Sequence, residues 1–284
     1  MNSNTFALIN DPDHGTLSRL KNVFDALNSK NIKVTTAVFC TLENDNTALS
    51  KHCYRGETGA LDEPEYADFM IEQKEKGHEI AFHGYSQISN TREKFSKGLE
   101  IYKDIFGEYP FTYIEHGGDL KYHPASSCKM ERLNWLGSTT DENSDYFIED
   151  IIKDKINLTW AYFDLLDGPE IKNKNRSIGK VENLKPMKYE DLFYKKGDIL
   201  FFKRWRSYYL DQMAPMYKQE ENTMFLGYTH FGYGHYGMNG CLSDNWIDRS
   251  SCFRTAEYLH GVIKNYNFQN LTLKQIVQKN KESI

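Results

Sequence analysis

Apolar and polar residues along this 284-residue chain fall into blocks of two kinds. Short apolar or β-branched runs read as strands, and longer stretches with apolar residues three or four apart read as helices. The run at 5–10, Thr-Phe-Ala-Leu-Ile-Asn, predicts a buried strand that passes straight into the polar stretch Asp11-Pro12-Asp13-His14-Gly15-Thr16. Thr16 is placed to cap a helix marked by Leu17, Leu20, Val23, Phe24 and Leu27 and ending near 28–31. Residues 32–40 form a second apolar run, so the chain opens as a βαβ unit. A turn-rich loop over 41–62 is followed by a helix over 63–76 with Tyr66, Phe69 and Met70 inward, and then by a strand over 79–83. The helix expected next covers 91–106, and the strand after it covers 111–114.

The later pattern is looser. A short helix near 126–133, a strand near 134–138, an acidic segment at 141–155 that is helical in its second half, and a strand over 158–163 follow in turn. Residues 167–197 are rich in Lys and Asn and read as an irregular excursion. Strands over 198–203 and 224–229 come after it, with a helix from the end of the first to about 220. Residues 245–284 read as a polar loop and two helices. About seven strands thus alternate with helices, without a linker or an internal repeat. That predicts one domain over 1–284, a single distorted (β/α) barrel.

Composition narrows the function classes. With 35 Lys and Arg against 40 Asp and Glu, the net charge of −5 offers no basic surface to nucleic acid or to an acidic membrane. No apolar run approaches a membrane span, and no signal-like segment stands at the N-terminus, so the expected address is cytoplasmic. The five cysteines lack metal-ligand spacing and read as reduced core or surface residues.

Polar groups recur where the strands end. Asp11, Asp13 and His14 follow the first, His83 the third, and Glu115 and His116 the fourth, while Asp164, Arg204, Trp205, Arg206 and His230 follow later ones. In a β/α barrel these ends share one mouth. Asp and His side chains there can hold a divalent metal, which polarises a carbonyl and acidifies a bound water. The segment Gly232-Tyr233-Gly234-His235-Tyr236-Gly237 lacks the Lys-Ser/Thr of a phosphate loop and suits a lid or a sugar contact instead.

The stretch Gly77-His78-Glu79-Ile80-Ala81-Phe82-His83-Gly84-Tyr85-Ser86-Gln87 resembles a signature segment of the polysaccharide deacetylases, the NodB-like carbohydrate esterases. Phe6 to Asp11, Tyr113 to Gly118 and Leu226 to His230 follow in that family's order, and the resemblance spans roughly residues 5–235. It implies a NodB-like barrel that removes an acyl group, an N-acetyl group by expectation, from a sugar or glycan precursor with the help of a divalent metal, zinc by expectation. Three features depart from the family, one of them the absence of its groove Arg. Asn10 stands where a base Asp is expected, and Gln87 where a second metal-binding His is expected. An alternative register uses Asp11 as base with Asp13 and His83 on the metal, His116 or His14 completing the shell and His230 as the acid; the exchange of roles between Asp11 and Asp13 is left open. His14, Gln87, Arg204 and Trp205 are then expected to contact the substrate. The rival expectation is a non-catalytic carbohydrate-binding or assembly protein on a degenerate barrel. The expected partner is a carbohydrate or sugar-derived molecule, and self-association into a homo-oligomer is left open.

Overall fold

The computed structural model describes residues 4–44, 56–87, 90–114, 142–143, 145, 147–161, 188–203, 224–232, 246 and 248–280. The strands among them are β1 (Asn4–Asp11), β2 (Val34–Val38), β3 (Glu79–Phe82), β4 (Thr112–Ile114), β5 (Leu158–Ala161), β6 (Phe193–Lys196), β7 (Ile199–Lys203), β8 (Met224–His230) and β9 (Phe268–Asn270). The helices are α1 (Leu17–Ser29), α2 (Pro64–Glu75), α3 (Arg92–Phe106), α4 (Glu149–Lys155), α5 (Tyr189–Leu192), α6 (Arg249–Asn265) and α7 (Leu273–Lys279).

Neighbouring strands run β6-β7-β5-β4-β3-β2-β1-β8, with β9 beside the start of β1. The strands β1 to β5 therefore sit in chain order, β7 comes next, and β8 returns to the other side of β1. A doubly wound sheet would reverse direction at a switch point, and this one does not. It winds as a distorted β/α barrel, and among the described residues no ladder joins β7 to β8. The ladders of β1 with β2, β8 and β9 are parallel, as are those that carry the sheet on to β7. Among the described residues, only the β6–β7 hairpin is antiparallel.

Strand alternation sorts side chains into two layers. Phe6, Leu8, Val34, Val38, Ile80, Phe82, Tyr113, Phe201 and Phe225 face outward and pack with α1, α2, α3 and α6. Ala7, Ile9, Ala37, Ala81, Ile114, Leu158, Leu200, Phe202, Met224 and Leu226 face inward and fill the barrel, and Leu273 and Ile276 of α7 join them. The same parity carries Asp11, His83 and His230 to the inner side at the C-terminal ends of β1, β3 and β8. It turns Asn10 outward, where its amide donates to Thr36 Oγ1 at 2.8 Å and accepts from the Phe231 N–H at 2.8 Å.

The floor of the barrel carries a buried acid. Glu79 accepts from Thr35 Oγ1 at 2.9 Å, from Thr112 Oγ1 at 2.6 Å and from the Lys274 N–H at 2.8 Å, tying β2, β3 and β4 to the first turn of α7. Burial raises its pKa despite those donors. His78 likewise serves the fold. Its Nδ1 accepts from the Val34 N–H at 3.2 Å, so its Nε2–H donates to Asn28 Oδ1 at 2.9 Å, and its ring stands edge-on to Phe24. A crevice of about 280 Å³ opens at this end, lined by His78, Glu79, Tyr109, Phe111 and Lys274 among others, none of them a mouth residue.

Several expectations are amended. Residues 188–197 of the expected irregular excursion hold α5 and β6, and Gly197, at φ +60, turns β6 back onto β7. β9 adds a short strand between the two C-terminal helices. Thr16 occupies the cap position of α1, but its hydroxyl makes no cap bond and lies 3.4 Å from Ser18 Oγ instead. Thr91 does cap α3, and Gly107 ends that helix in the left-handed region at φ +76. The elements expected at 126–133, 134–138 and 204–220 lie outside the described residues. No helix among the described residues is long and apolar enough to cross a membrane.

Candidate metal and hydrolytic site

β1 ends in the turn Pro12-Asp13-His14-Gly15, closed by the Gly15 N–H on the Pro12 carbonyl at 2.7 Å. That turn folds Asp13 back beside Asp11, with the Asp13 N–H 3.4 Å from Asp11 Oδ1. β3 delivers His83 next to both. One ligand atom each from Asp11, Asp13 and His83 lies within 4.8 Å of the others, and all three residues are buried.

The orientation of His83 is determined by a carbonyl. Its Nδ1 lies 2.6 Å from the Ile114 oxygen, which can only accept, so Nδ1 carries a proton. In the neutral ring the lone pair then sits on Nε2, and Nε2 is 3.2 Å from Asp11 Oδ1. Two lone pairs facing each other call for a cation between them, either a proton or a metal ion. A carboxylate pair with one oriented imidazole is a fit donor set for a divalent ion. Phe39 packs edge-on against the imidazole, with ring centroids 4.8 Å apart, and shields it.

The second oxygen of Asp11 reaches the last strand. β8 pairs residue for residue with β1, placing His230 opposite Asp11, and His230 Nε2 lies 3.4 Å from Asp11 Oδ2. Burial by itself would raise the Asp11 pKa. The electrostatic pull of His83 and then His230, with the hydrogen bonds each makes, outweighs burial and holds the carboxyl well below its ordinary value.

Gln87 and His14 also lie at this end of the barrel. Gln87 Nε2 donates to the Gly56 carbonyl at 2.9 Å. His14 adopts the left-handed region at φ +58, and Arg19 Nη1 donates to its carbonyl at 3.3 Å and to that of Gly232 at 2.6 Å. Thr58 Oγ1 donates to the Pro12 carbonyl at 2.9 Å, lashing the 56–59 segment to the turn. His116, Arg204 and Trp205 lie outside the described residues. Sequence reasoning passed over Phe39, the Ile114 carbonyl and Gly56. Alternation along β2 could have placed Phe39 on the inner face, whereas a main-chain carbonyl leaves no sequence signal.

No family model matches the chain, and no curated protein matches it in sequence. Solved structures do resemble it. The Xyl-CE4 domain of a multidomain xylanase from the hindgut metagenome of Trinervitermes trinervoides is 13% identical over 99% of this chain and 92% of that one, with a TM-score of 0.43. The catalytic domain of a peptidoglycan N-acetylglucosamine deacetylase from Eubacterium rectale is 14% identical over 96% of this chain and 89% of its own, at 0.41. A 4-alpha-glucanotransferase from Thermococcus litoralis is 11% identical over 98% of this chain and 41% of that one, at 0.47.

Proposed function

We propose that this chain is a metal-dependent hydrolase that removes an acyl group, N-acetyl in the first instance, from a sugar or glycan precursor. The observation that carries this reading is the buried cluster of Asp11, Asp13 and His83, with His230 on the second oxygen of Asp11. The acyl group and the sugar rest on the resemblance of residues 77–87 to the deacetylase signature.

In this reading Asp13 and His83 hold a divalent ion, zinc in the first instance, with His116 as the third ligand expected from sequence. When bound, such an ion supplies Lewis acidity toward a carbonyl oxygen and toward water. Asp11, as the base beside that ion, takes a proton from water, and the resulting hydroxide attacks the acyl carbon. His230, on the opposite oxygen of Asp11, gives a proton to the departing amine. The proton on Asp11 then passes to His230, 3.4 Å from its second oxygen, so that water ends as the acetate oxygen and the amine proton, and the C–N bond is the one broken. Ile114 keeps His83 in the tautomer this requires. His14, Gln87, Arg204 and Trp205 are assigned to the sugar side of the mouth.

One observation favours a second reading, a barrel that binds carbohydrate without turning it over. Two of the departures from the family pattern are amides spent on the backbone, Asn10 on Phe231 and Gln87 on Gly56. Acetate release from N-acetylglucosamine oligomers separates the two. Turnover that Asp11→Asn abolishes while the ion stays bound supports the hydrolase. Binding of the oligomer without acetate release, with metal present, refutes it.

A further inference from the structure

We infer that Gln87 is a positioning residue for His14, acting through the main chain of Gly56. This rests on the reading of the barrel mouth as the reacting site, because that is what gives the placement of His14 a purpose.

Gln87 stands at the position where the resemblance led us to expect a metal ligand, yet its amide is turned to the Gly56 carbonyl, 2.9 Å away. An amide N–H₂ is a donor and a poor ligand, so the residue suits the contact it makes. The peptide it holds lies against His14. A Cβ built on Gly56 would fall 2.4 Å from Cε1 and 2.6 Å from Nδ1 of the imidazole, so the seat exists only because residue 56 has no side chain. Gly56 also sits at φ +122, a conformation L residues rarely adopt.

The main chain of His14 is held as well, from the end of β8. A Cβ on Gly232 would lie 2.0 Å from the His14 carbonyl carbon, so the end of β8 also abuts the turn. Arg19 joins the two carbonyls, and Thr58 Oγ1 ties Pro12 to the 56–59 segment. His14 itself takes φ +58, which a non-glycine residue keeps only when its surroundings enforce it. The Gly56 segment therefore bounds the imidazole and the end of β8 bounds the main chain of the same residue, and Gln87 is the side chain that links the imidazole's seat to the loop after β3. Thus the residue that departs from a ligand position bears on a neighbouring imidazole and leaves the ligands Asp13 and His83, and the base Asp11, alone.

The test uses the full chain labelled with [13Cε1]histidine, the His14 resonance being assigned by its loss in His14→Asn. Gln87→Glu keeps the shape and removes the donor, and Gly56→Ala fills the seat. Both are expected to shift or broaden the His14 signal while leaving those of His83 and His78 in place. Zn²⁺ and Mn²⁺ affinities, read by calorimetry, are expected to stay within about threefold, against the roughly tenfold or greater loss that follows removal of a ligand or of a partner that orients one. An unmoved His14 signal in Gln87→Glu, even with a lower melting temperature, overturns the proposal, as does a tenfold loss of metal affinity. If Gly56→Ala does not fold, Gln87→Glu decides by itself. Neither readout depends on turnover, so failure of the hydrolase reading would show separately.

Discussion

Replacing His78 by Asn should alter how stability depends on pH more than it alters stability at neutral pH. The imidazole is 4% exposed and already committed as a neutral ring, with Nδ1 accepting from Val34 and Nε2–H donating to Asn28. Burial above all, and then the charges of Lys33 and Lys76, push its pKa down to about 3 from the ordinary 6.5. The unfolded chain therefore takes up a proton below about pH 6.5 that the folded chain refuses until about pH 3. The stability at stake is present above the unfolded pKa and is lost on acidification. At about 1.4 kcal/mol per pH unit it reaches about 3 kcal/mol at pH 4.5 and about 5 kcal/mol at the limit. His78→Asn keeps an acceptor for Val34 and gives up the Asn28 bond and the Phe24 contact, costing about 1–3 kcal/mol at pH 7.5. Urea unfolding followed by circular dichroism between pH 7.5 and 4.5 should show that gap closing by about 1.4 kcal/mol per unit below about pH 6.5. The variant should draw level with the parent by about pH 4.5. A gap that stays constant across this range would refute the reasoning, because His78 would then not be the group that refuses the proton.

Glu79→Ala should cost about 2–4 kcal/mol in urea unfolding at pH 5, since it leaves two hydroxyls and the Lys274 N–H without their acceptor. Against Glu79→Gln, the parent should lose stability as pH rises above about 4.5, because a raised folded pKa favours the protonated, folded chain at the acid end. Phe82→Ala should cost about 3–5 kcal/mol by the same assay, its fully buried ring packing against Phe95, Tyr102 and Tyr113. Asn10→Ala should cost about 1–3 kcal/mol, because the Phe231 N–H and the Thr36 hydroxyl both lose a buried partner. If that cost is below about 0.5 kcal/mol, the clamp between β1, β2 and the end of β8 is not what it looks like.

The early chain was legible because local and tertiary signals agree there. β1, α1, β2, α2, β3 and α3 all form within a few residues of their periodic patterns, and the inward positions Tyr66 and Met70 are buried as expected. Strand parity also tells Asn10 from Asp11, one outward and one inward, which a motif comparison by position does not. β6 was missed because Phe193-Tyr194-Lys195-Lys196 is short and ends in two lysines. The Gly197-Asp198 pair is a two-residue hairpin signal that a reading of the whole stretch as irregular overlooks. β9 is shorter still, and its pairing with β1 is a contact between the two ends of the chain that no local pattern encodes. At the site, strand ends announced Asp11, His83 and His230. The return of Asp13 through a turn with His14 in the left-handed region, and the role of Ile114 in setting the His83 tautomer, are main-chain geometry.

The central claim is that Asp13 and His83 hold a divalent ion beside Asp11. The most direct measurement is metal content, by mass spectrometry after equilibrium dialysis against Zn²⁺ and Mn²⁺, of the parent chain and of Asp13→Ala and His83→Ala. The account predicts about one ion per parent chain and at least a tenfold loss of affinity in each variant, with all three proteins folded. A parent chain that retains no ion, or variants that retain it as well as the parent does, would contradict it.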